Sequence, residues 1–232
     1  MLINFDQNCI EARFIRRFKR FSVEVEYKGK KLWAHTNNTG SMMGLLRTGQ
    51  KVYLSHSQNI KRKMPYTLEL VQLGDMWVGV NTLVPNRILK LGFQYKQIEG
   101  LKSFQSFKSE VKRGDSRLDA CAKKGETQLW IEAKNVTMVE DEIAAFPDAV
   151  TLRGQKHLRA LIDMSKQGIS TALFFFIQRS DGKCFAPADY IDPVYADLFY
   201  QAVDVGVQIW PYQAVISKKG IDIGNCLKIV HP

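Results

Sequence analysis

Residues 110–134 of this chain read EVKRGDSRLDACAKKGETQLWIEAK, and this stretch decides how the second half of the protein folds. Two strand-like segments flank a polar turn at Gly125 and Glu126. We therefore predict a β-hairpin that reverses at these two residues. The register that such a turn sets places Asp119 opposite Glu132 on the neighbouring strand.

The two faces of the predicted hairpin differ in polarity. Side chains alternate along a strand, so Asp119, Glu132 and Lys134 share one face. Two converging carboxylates suit Mg²⁺ or Mn²⁺, which prefers oxygen ligands and completes its shell with water and phosphate. A neighbouring ammonium would stabilise negative charge that develops on the phosphate. We predict these three as catalytic residues on the polar face, with a core-facing apolar face formed by Leu118, Ala120, Ile131 and Ala133.

The metal site has an open question in Glu110, nine residues before Asp119. We predict Glu110 as a further metal ligand beside Asp119 and Glu132, or as a residue that contacts those ligands without binding the metal itself. The alternative for the whole pattern is a solvated stripe, because a Glu and a Lys two residues apart often lie on an exposed strand face. The strand WIEAK, with its apolar second face, favours a site beside a core.

The charge of the chain points to a polyanionic partner. The formal net charge is +10, and residues 1–80 hold 13 Lys and Arg against 6 Asp and Glu. A positive field of this kind attracts nucleic acid or an anionic membrane. No amphipathic helix suited to a bilayer surface is evident, so we predict DNA as the partner, double-stranded by preference and single-stranded as an option, and no membrane. The four cysteines are widely spaced, and we expect reduced thiols in a cytoplasmic protein, with association with the nucleoid as an option.

The chain divides into two predicted domains, residues 1–81 and 82–232. Short strands with a period of two fill the first, as in Val23, Val25 and Tyr27, and indicate an OB-like β-barrel. The second mixes strands with helices and indicates an α/β sheet layered by helices. Its predicted elements are a helix opening at Pro85, strands at 107–112, 117–121 and 129–134, a helix at 151–167, a strand at 170–178, a helix at 193–203 and a strand at 207–216.

Basic side chains in both domains are candidates for phosphate contacts, although a solvated face is an equal alternative for any single one. In the second domain, Arg153, Lys156 and His157 share one face of a predicted helix and could hold phosphates beside the metal strand. The candidates in the barrel are Arg13, Arg16, Arg17, Lys19, Arg20, Lys61, Arg62 and Lys63, with Phe14, Phe18, Trp33 and Tyr53 as residues that could stack on bases or form the barrel core.

Several segments of the chain are typical of one known family. They are SRLD at 116–119, IEAK at 131–134, FPDAVTLRGQKHL at 146–158, Leu45-Leu46 and Asn81-Thr82. In these segments the sequence resembles the sugar fermentation stimulation protein (SfsA) family. The resemblance implies an N-terminal OB-like domain, a PD-(D/E)xK nuclease-like domain, DNA binding without strong sequence preference, and a regulatory link to sugar use, notably of maltose. It carries nuclease-type roles onto Asp119, Glu132 and Lys134, and also onto Glu110.

Three functions are compatible with these features. The first is a DNA-binding protein with a Mg²⁺- or Mn²⁺-dependent nuclease-like site. The second is a DNA-binding transcriptional regulator that does not cleave and retains the nuclease fold. The third is a binder of RNA or of single strands, which a basic barrel also permits.

Overall fold

A computed structural model describes residues 2–42, 44–113 and 116–230. After a first strand, β1 (Ile3–Asn4), six strands build a barrel: β2 (Ile10–Phe18), β3 (Ser22–Tyr27), β4 (Lys30–His35), β5 (Lys51–His56), β6 (Tyr66–Leu73) and β7 (Met76–Gly79). β2 pairs with β3 and β5, β3 pairs with β4, β5 pairs with β6, and a parallel contact between β4 and β6 closes the ring, which β7 extends.

The C-terminal part is an α/β domain. A mixed sheet runs in the order β1-β16-β15-β13-β10-β9-β8, and a smaller sheet runs β11-β12-β14-β17. The elements are α1 (Val84–Gln94), a 3-10 turn (Glu99–Leu101), β8 (Ser106–Arg113), β9 (Ser116–Lys124), β10 (Thr127–Val136), β11 (Met138–Glu140), β12 (Ile143–Phe146), α2 (Leu152–Lys166), β13 (Ser170–Ile177), β14 (Cys184–Pro187), α3 (Pro193–Asp204), β15 (Gln208–Ser217), β16 (Gly220–Cys226) and β17 (Lys228–Ile229).

Helices cover both faces of the large sheet. α1 packs Ile88 and Leu89 against one face, in a core that includes Ile131. α2 and α3 pack on the other face, where Leu158 and Phe199 join a second core. The central strands are consequently buried on both sides, which explains the continuous apolar run of β13. Among the described residues, no helix combines the length and the apolar character that crossing a bilayer would require.

The two helices over the second core begin at one shared carboxylate. Asp192 caps α3 by accepting a hydrogen bond from the Tyr195 amide at 2.9 Å, and it also accepts from the Thr151 amide at 2.9 Å. Thr151 in turn caps α2, because its hydroxyl accepts from the Gly154 amide at 3.0 Å. These caps satisfy amides that would otherwise lack partners, and they fix α2 relative to α3.

The predicted architecture, a barrel followed by an α/β domain, is confirmed. The hairpin also has the predicted register, because Cys121 pairs with Trp130 and Ala120 with Ile131. Leu118 is an exception to the predicted faces, since it packs in the second core while Ala120 packs in the first. The alternation breaks where Glu110 adopts a φ of 53°, and the ladder between β8 and β9 skips the pair of Glu110 with Asp119 at the same point.

Two features of the fold lie outside the sequence prediction. β1 pairs with β16, so the start of the chain adds a strand to the sheet of the second domain instead of the barrel. The small sheet was also missed, because its strands span only two to four residues and show too little alternation to read. The division into residues 1–81 and 82–232 stays a prediction.

We predict that Gly100→Ala destabilises the protein. A β-carbon at Gly100 would lie 2.2 Å from an atom of the Trp210 ring, which is buried in the first core and cannot swing away. Overpacking of this kind costs about 1–3 kcal/mol, or a fall of several degrees in Tm. Thermal unfolding followed by circular dichroism measures the shift.

The matched control is Ser103→Ala, three residues further on at an exposed position. We expect its Tm to stay within about a degree or two of the parent value, as for most surface substitutions. An equal Tm for Gly100→Ala would show that the close packing of Gly100 on Trp210 is wrong.

Candidate functional site

A cavity of about 390 Å³ lies where the barrel meets the α/β domain. The hairpin strands β9 and β10 supply its charged wall through Asp119, Glu132 and Lys134. The barrel side supplies Asn38 and Thr39. The remaining lining residues are Thr82, Pro85, Asn86, Arg117, Ala133, Asn135, Thr137, Met138, Ala145, Phe146, Asp148, Arg153 and His157.

The centre of the site is the carboxylate of Glu132, which is almost fully buried. Lys134 Nζ donates to Glu132 Oε1 at 2.6 Å, and His157 Nδ1 from α2 contacts the same oxygen. Lys134 Nζ also lies 3.3 Å from His157 Nδ1. The second oxygen, Glu132 Oε2, is buried and has no hydrogen-bond partner in the protein. One oxygen is thus used to position the side chain, and the other is buried without a partner in the protein.

Asp119 is held next to Glu132 by two hydrogen bonds. Asn86, near the start of α1, donates from Nδ2 to Asp119 Oδ1 at 2.8 Å. The backbone amide of Ala133, which follows Glu132, donates to Asp119 Oδ2 at 2.8 Å. The backbone pairing of β9 with β10 ends at Ala120 and Ile131, and the bond from the Ala133 amide follows directly after it. Asp119 therefore lies against the backbone of β10 at the cavity wall.

The two carboxylates have opposite pKa shifts. Burial and the nearby charge of Glu132 raise the pKa of Asp119 above its usual value. Burial alone would also raise the pKa of Glu132, but the charge of Lys134 and the hydrogen bonds from His157 and Lys134 outweigh it, and the net pKa is lowered. Glu132 is therefore the firmly ionised member of the pair, and Asp119 is the one that takes up a proton more readily.

Comparison with known proteins identifies the family of this chain. Residues 15–80 match the SfsA N-terminal OB domain, and residues 83–220 match the sugar fermentation stimulation protein RE domain. The chain belongs to the SfsA family. The predicted family membership is thus confirmed.

Relatives of this SfsA-family chain extend over its whole length. The sugar fermentation stimulation protein homolog of Syntrophobacter fumaroxidans is 54% identical over 229 residues, which cover 99% of this chain and 88% of the relative. The homolog of Maridesulfovibrio salexigens is 52% identical over 231 residues, which cover 98% and 97%. The structure of Pyrococcus furiosus SfsA in complex with Ca²⁺ superposes with a TM-score of 0.92 over 100% of both chains, at 23% identity, and shows that the fold is shared.

The third predicted metal ligand of this SfsA-family protein lies elsewhere. Glu110 is exposed and forms an ion pair with Arg117, whose Nη2 lies 2.5 Å from Glu110 Oε2. Arg117 lines the cavity, whereas Glu110 does not. The structure therefore brings Asp119, Glu132 and Lys134 together but leaves Glu110 outside, and a ligand role for Glu110 stays a prediction.

The basic residues predicted to bind phosphate fall into different environments. From α2, Arg153 and His157 line the cavity, whereas Lys156 is exposed outside it. Arg17 donates to the backbone oxygens of Arg20, Asn38 and Gly40, so it holds a barrel loop and does not face solvent freely. The others are exposed or partly exposed: Arg13, which donates to the Gly49 oxygen, Arg16, which pairs with Glu24, Lys19, Arg20, Lys61, Arg62, which donates to Thr67, and Lys63.

Sequence reasoning missed the residues that position the site. Asn86 has no predicted role in the site, and its bond to Asp119 spans 33 residues of chain. Asn38 and Thr39 reach the cavity from the other domain. No local pattern marks such long-range partners, although the segment 146–158 that carries the family resemblance contains four lining residues, Phe146, Asp148, Arg153 and His157.

We predict that Lys134→Met destabilises the fold by about 3 kcal/mol near pH 7, because it leaves the buried Glu132 carboxylate without its main counter-charge. In the parent, the lowered pKa of Glu132 adds stability that is present above the unfolded-state pKa and is lost as the pH falls. In the variant, burial raises that pKa, so the deficit shrinks below about pH 5 as Glu132 is protonated. Urea unfolding of the parent and the variant, near pH 7 and again below about pH 5, measures the difference in their free energies of unfolding.

Lys183→Met is the matched control, because Lys183 also pairs with a glutamate, Glu142 at 2.6 Å, but on the surface. We expect a loss of about 0.5 kcal/mol or less there. A Lys134→Met deficit that is equally small, or that does not change with pH, would mean that Glu132 does not depend on Lys134.

Proposed function

We propose that this protein is a DNA-binding phosphodiesterase that depends on Mg²⁺ or Mn²⁺ and has little sequence preference. The observation that carries the proposal is the meeting of Asp119, Glu132 and Lys134 in one cavity, with Glu132 Oε2 buried and unpartnered. A buried carboxylate oxygen without a partner is costly, and a bound cation would satisfy it. The basic residues of the barrel would supply the affinity for the DNA backbone, in the cytoplasm and at the nucleoid.

The residues in the cavity fit a hard divalent cation. Asp119 and Glu132 would hold it, and Mg²⁺ commonly takes just one or two protein carboxylates. In the described part of the chain, no group of three or more His, Cys, Asp and Glu residues is placed to hold a metal. This favours a cation that shares its shell with water and phosphate over a fully enclosed structural ion. The Pyrococcus furiosus SfsA structure, a complex with Ca²⁺, supports a divalent ion in this fold.

The side chains around the carboxylates have distinct roles in this proposal. When bound, the cation would act as a Lewis acid toward the phosphodiester. Lys134, fixed by Glu132, places a positive charge in the cavity that would stabilise the developing negative charge. Arg153 and Arg117 also line the cavity and offer guanidinium groups to the flanking phosphates. His157 orients Glu132 by contact with Oε1.

The second candidate function is a DNA-binding regulator that does not cleave, in keeping with the family name, which links these proteins to sugar fermentation. One observation favours it. Lys134 already balances the charge of Glu132, and His157 contacts the same oxygen, so the carboxylate has a counter-charge without a cation. A site of this kind can persist as a folding element after its chemistry is lost.

We predict that the purified protein cleaves DNA when Mg²⁺ or Mn²⁺ is present and stops when EDTA is added. Asp119→Ala should remove a ligand and Lys134→Ala the fixed positive charge, and each should lower the rate by about 100-fold or more while DNA binding is retained. Supercoiled, linear and single-stranded DNA are compared on gels, and binding is measured by fluorescence anisotropy.

Asp163→Ala is the control, since Asp163 is an exposed carboxylate on α2 that does not line the cavity. Its rate should equal that of the parent. Binding without cleavage in every metal would reject the enzyme and support the regulator, and cleavage that survives Asp119→Ala would place the chemistry elsewhere.

Metal affinity should also depend on pH through Asp119. Because burial and Glu132 raise the pKa of this carboxyl, protons compete with the cation at a higher pH than they would at an ordinary aspartate. We predict that Mn²⁺ affinity, measured by calorimetry, falls steadily from pH 7 toward pH 5. Asp119→Asn should bind more weakly and lose most of this dependence. An affinity that is flat with pH, or unchanged in Asp119→Asn, would show that Asp119 is not a ligand.

A further inference from the structure

The outer surface of the barrel carries an unusual group of exposed aromatic side chains. Of the 13 phenylalanines and four tryptophans, the exposed ones are Phe18, Phe21 and Trp33, at 47%, 51% and 39% exposure. Phe18 lies edge-on to Trp33 with ring centroids 6.0 Å apart, and Phe21 stacks on His35 at 6.1 Å. We call these four residues the aromatic face. Exposed rings gathered in one place mark a contact surface.

The strand register explains why these side chains lie together. β2, β3 and β4 are neighbours, and Arg16, Glu24 and Trp33 form one row across them. Phe18, Ser22 and His35 form the next row, two residues along each strand, and therefore point to the same side. Arg17 lies between the rows on β2 and points to the other side, which is why its contacts are internal.

The aromatic face is also positively charged. The Arg16 guanidinium lies 5.9 Å from the Trp33 ring centroid, and Lys19 Nζ lies 5.5 Å from that of Phe18. The acidic member of the first row, Glu24, is buried and takes a hydrogen bond from Arg16 at 2.7 Å. Cations that border open π faces attract a ligand with flat bases and an anionic backbone.

A second basic cluster reaches the same face from a distant part of the sequence. β4 and β6 pair in parallel, so His35 lies beside Thr67, and Arg62 Nη1 donates to the Thr67 hydroxyl at 3.0 Å. His35, Arg62 and Lys63 line one depression on the barrel surface. Two clusters that are about 40 residues apart in the chain thus flank one set of rings.

The aromatic face leads directly to the cavity. His35 Nε2 lies 3.0 Å from Asn37 Oδ1, and the Asn37 carbonyl accepts from the Thr82 hydroxyl at 3.0 Å. Thr82 and Thr39 both line the cavity. Thr39 lies four positions after His35, so their backbones are at most about 14 Å apart. A chain bound on the rings would reach the carboxylates within a few nucleotides.

We infer that the aromatic face binds single-stranded DNA by stacking on the bases of the strand and directs that strand toward the cavity. The inference deepens the proposed phosphodiesterase function, on which it rests, by naming the strand state of the substrate. Rings can stack only on bases whose faces are open, and duplex bases present their faces to one another instead. Stacking accepts every base, which agrees with binding that has little sequence preference.

The test is fluorescence anisotropy in EDTA, which prevents cleavage. The full-length protein is titrated into a labelled mixed-sequence DNA strand of about 30 nucleotides, the duplex made from it, and the matching RNA strand. We expect the DNA strand to bind more tightly than the duplex and the RNA. Phe21→Ala and Trp33→Ala should each weaken strand binding by about 5- to 100-fold, with an unchanged salt slope, because phosphate contacts remain.

Tyr95→Ala is the matched control, since Tyr95 is an exposed aromatic at the end of α1 in the other domain. It should bind as the parent does, and melting curves should show that all three variants are folded. Duplex or RNA binding equal to or tighter than that of the DNA strand, or full affinity after both ring truncations, would overturn the inference. These outcomes are independent of cleavage, so a protein that binds strands but does not cleave would reject the enzyme and leave the aromatic face intact.

Discussion

The site depends on one buried carboxylate and the two cationic or hydrogen-bonding groups that make its burial possible. Glu132 sits on a central strand where burial alone would favour its neutral form. Lys134 from the same strand and His157 from α2 contact one of its oxygens and keep it ionised. The arrangement fixes α2 to β10 and leaves the second oxygen buried without a partner. Structural stability and the proposed binding of a cation therefore rest on the same contacts.

The asymmetry between Asp119 and Glu132 gives each carboxylate a different character. Glu132 is held ionised, while the pKa of Asp119 is raised, because burial and the charge of Glu132 outweigh the hydrogen bonds from Ala133 and Asn86 and the charge of Lys134. The proposed cation would therefore compete with protons mainly at Asp119. The two carboxylates of the cavity thus differ in pKa, which the same residues on a solvent-exposed strand face would not.

The barrel shapes this site as well as carrying positive charge. Arg17 holds the loop that contains Asn38 and Gly40 through its carbonyl oxygens, and Asn38 lines the cavity. Across the cleft, the Ser41 hydroxyl donates to the Asp148 carboxylate at 2.8 Å. Arg17, a predicted phosphate-binding residue, thus holds a barrel loop whose Ser41 contacts the second domain. Its neighbours Arg16 and Phe18, on the opposite side of the same strand, remain available to a ligand.

Part of this organisation followed from local sequence. The alternation of the barrel strands, the turn at Gly125 and Glu126, and the resulting hairpin register depend on neighbours along the chain, and these predictions were correct. The grouping of Asp119, Glu132 and Lys134 followed from that register, because strand periodicity is local.

The sequence by itself therefore determined the barrel, the hairpin and the three charged side chains on its polar face. The tertiary structure decided that His157 and Asn86 complete the site, that Glu110 turns to Arg117 instead, and that the start of the chain pairs with β16. The physical reason is the distance along the chain over which each kind of interaction acts. Alternation and turn chemistry act within a few residues, whereas these partners meet only after sheets and helices pack, when burial makes each unpaired polar group costly.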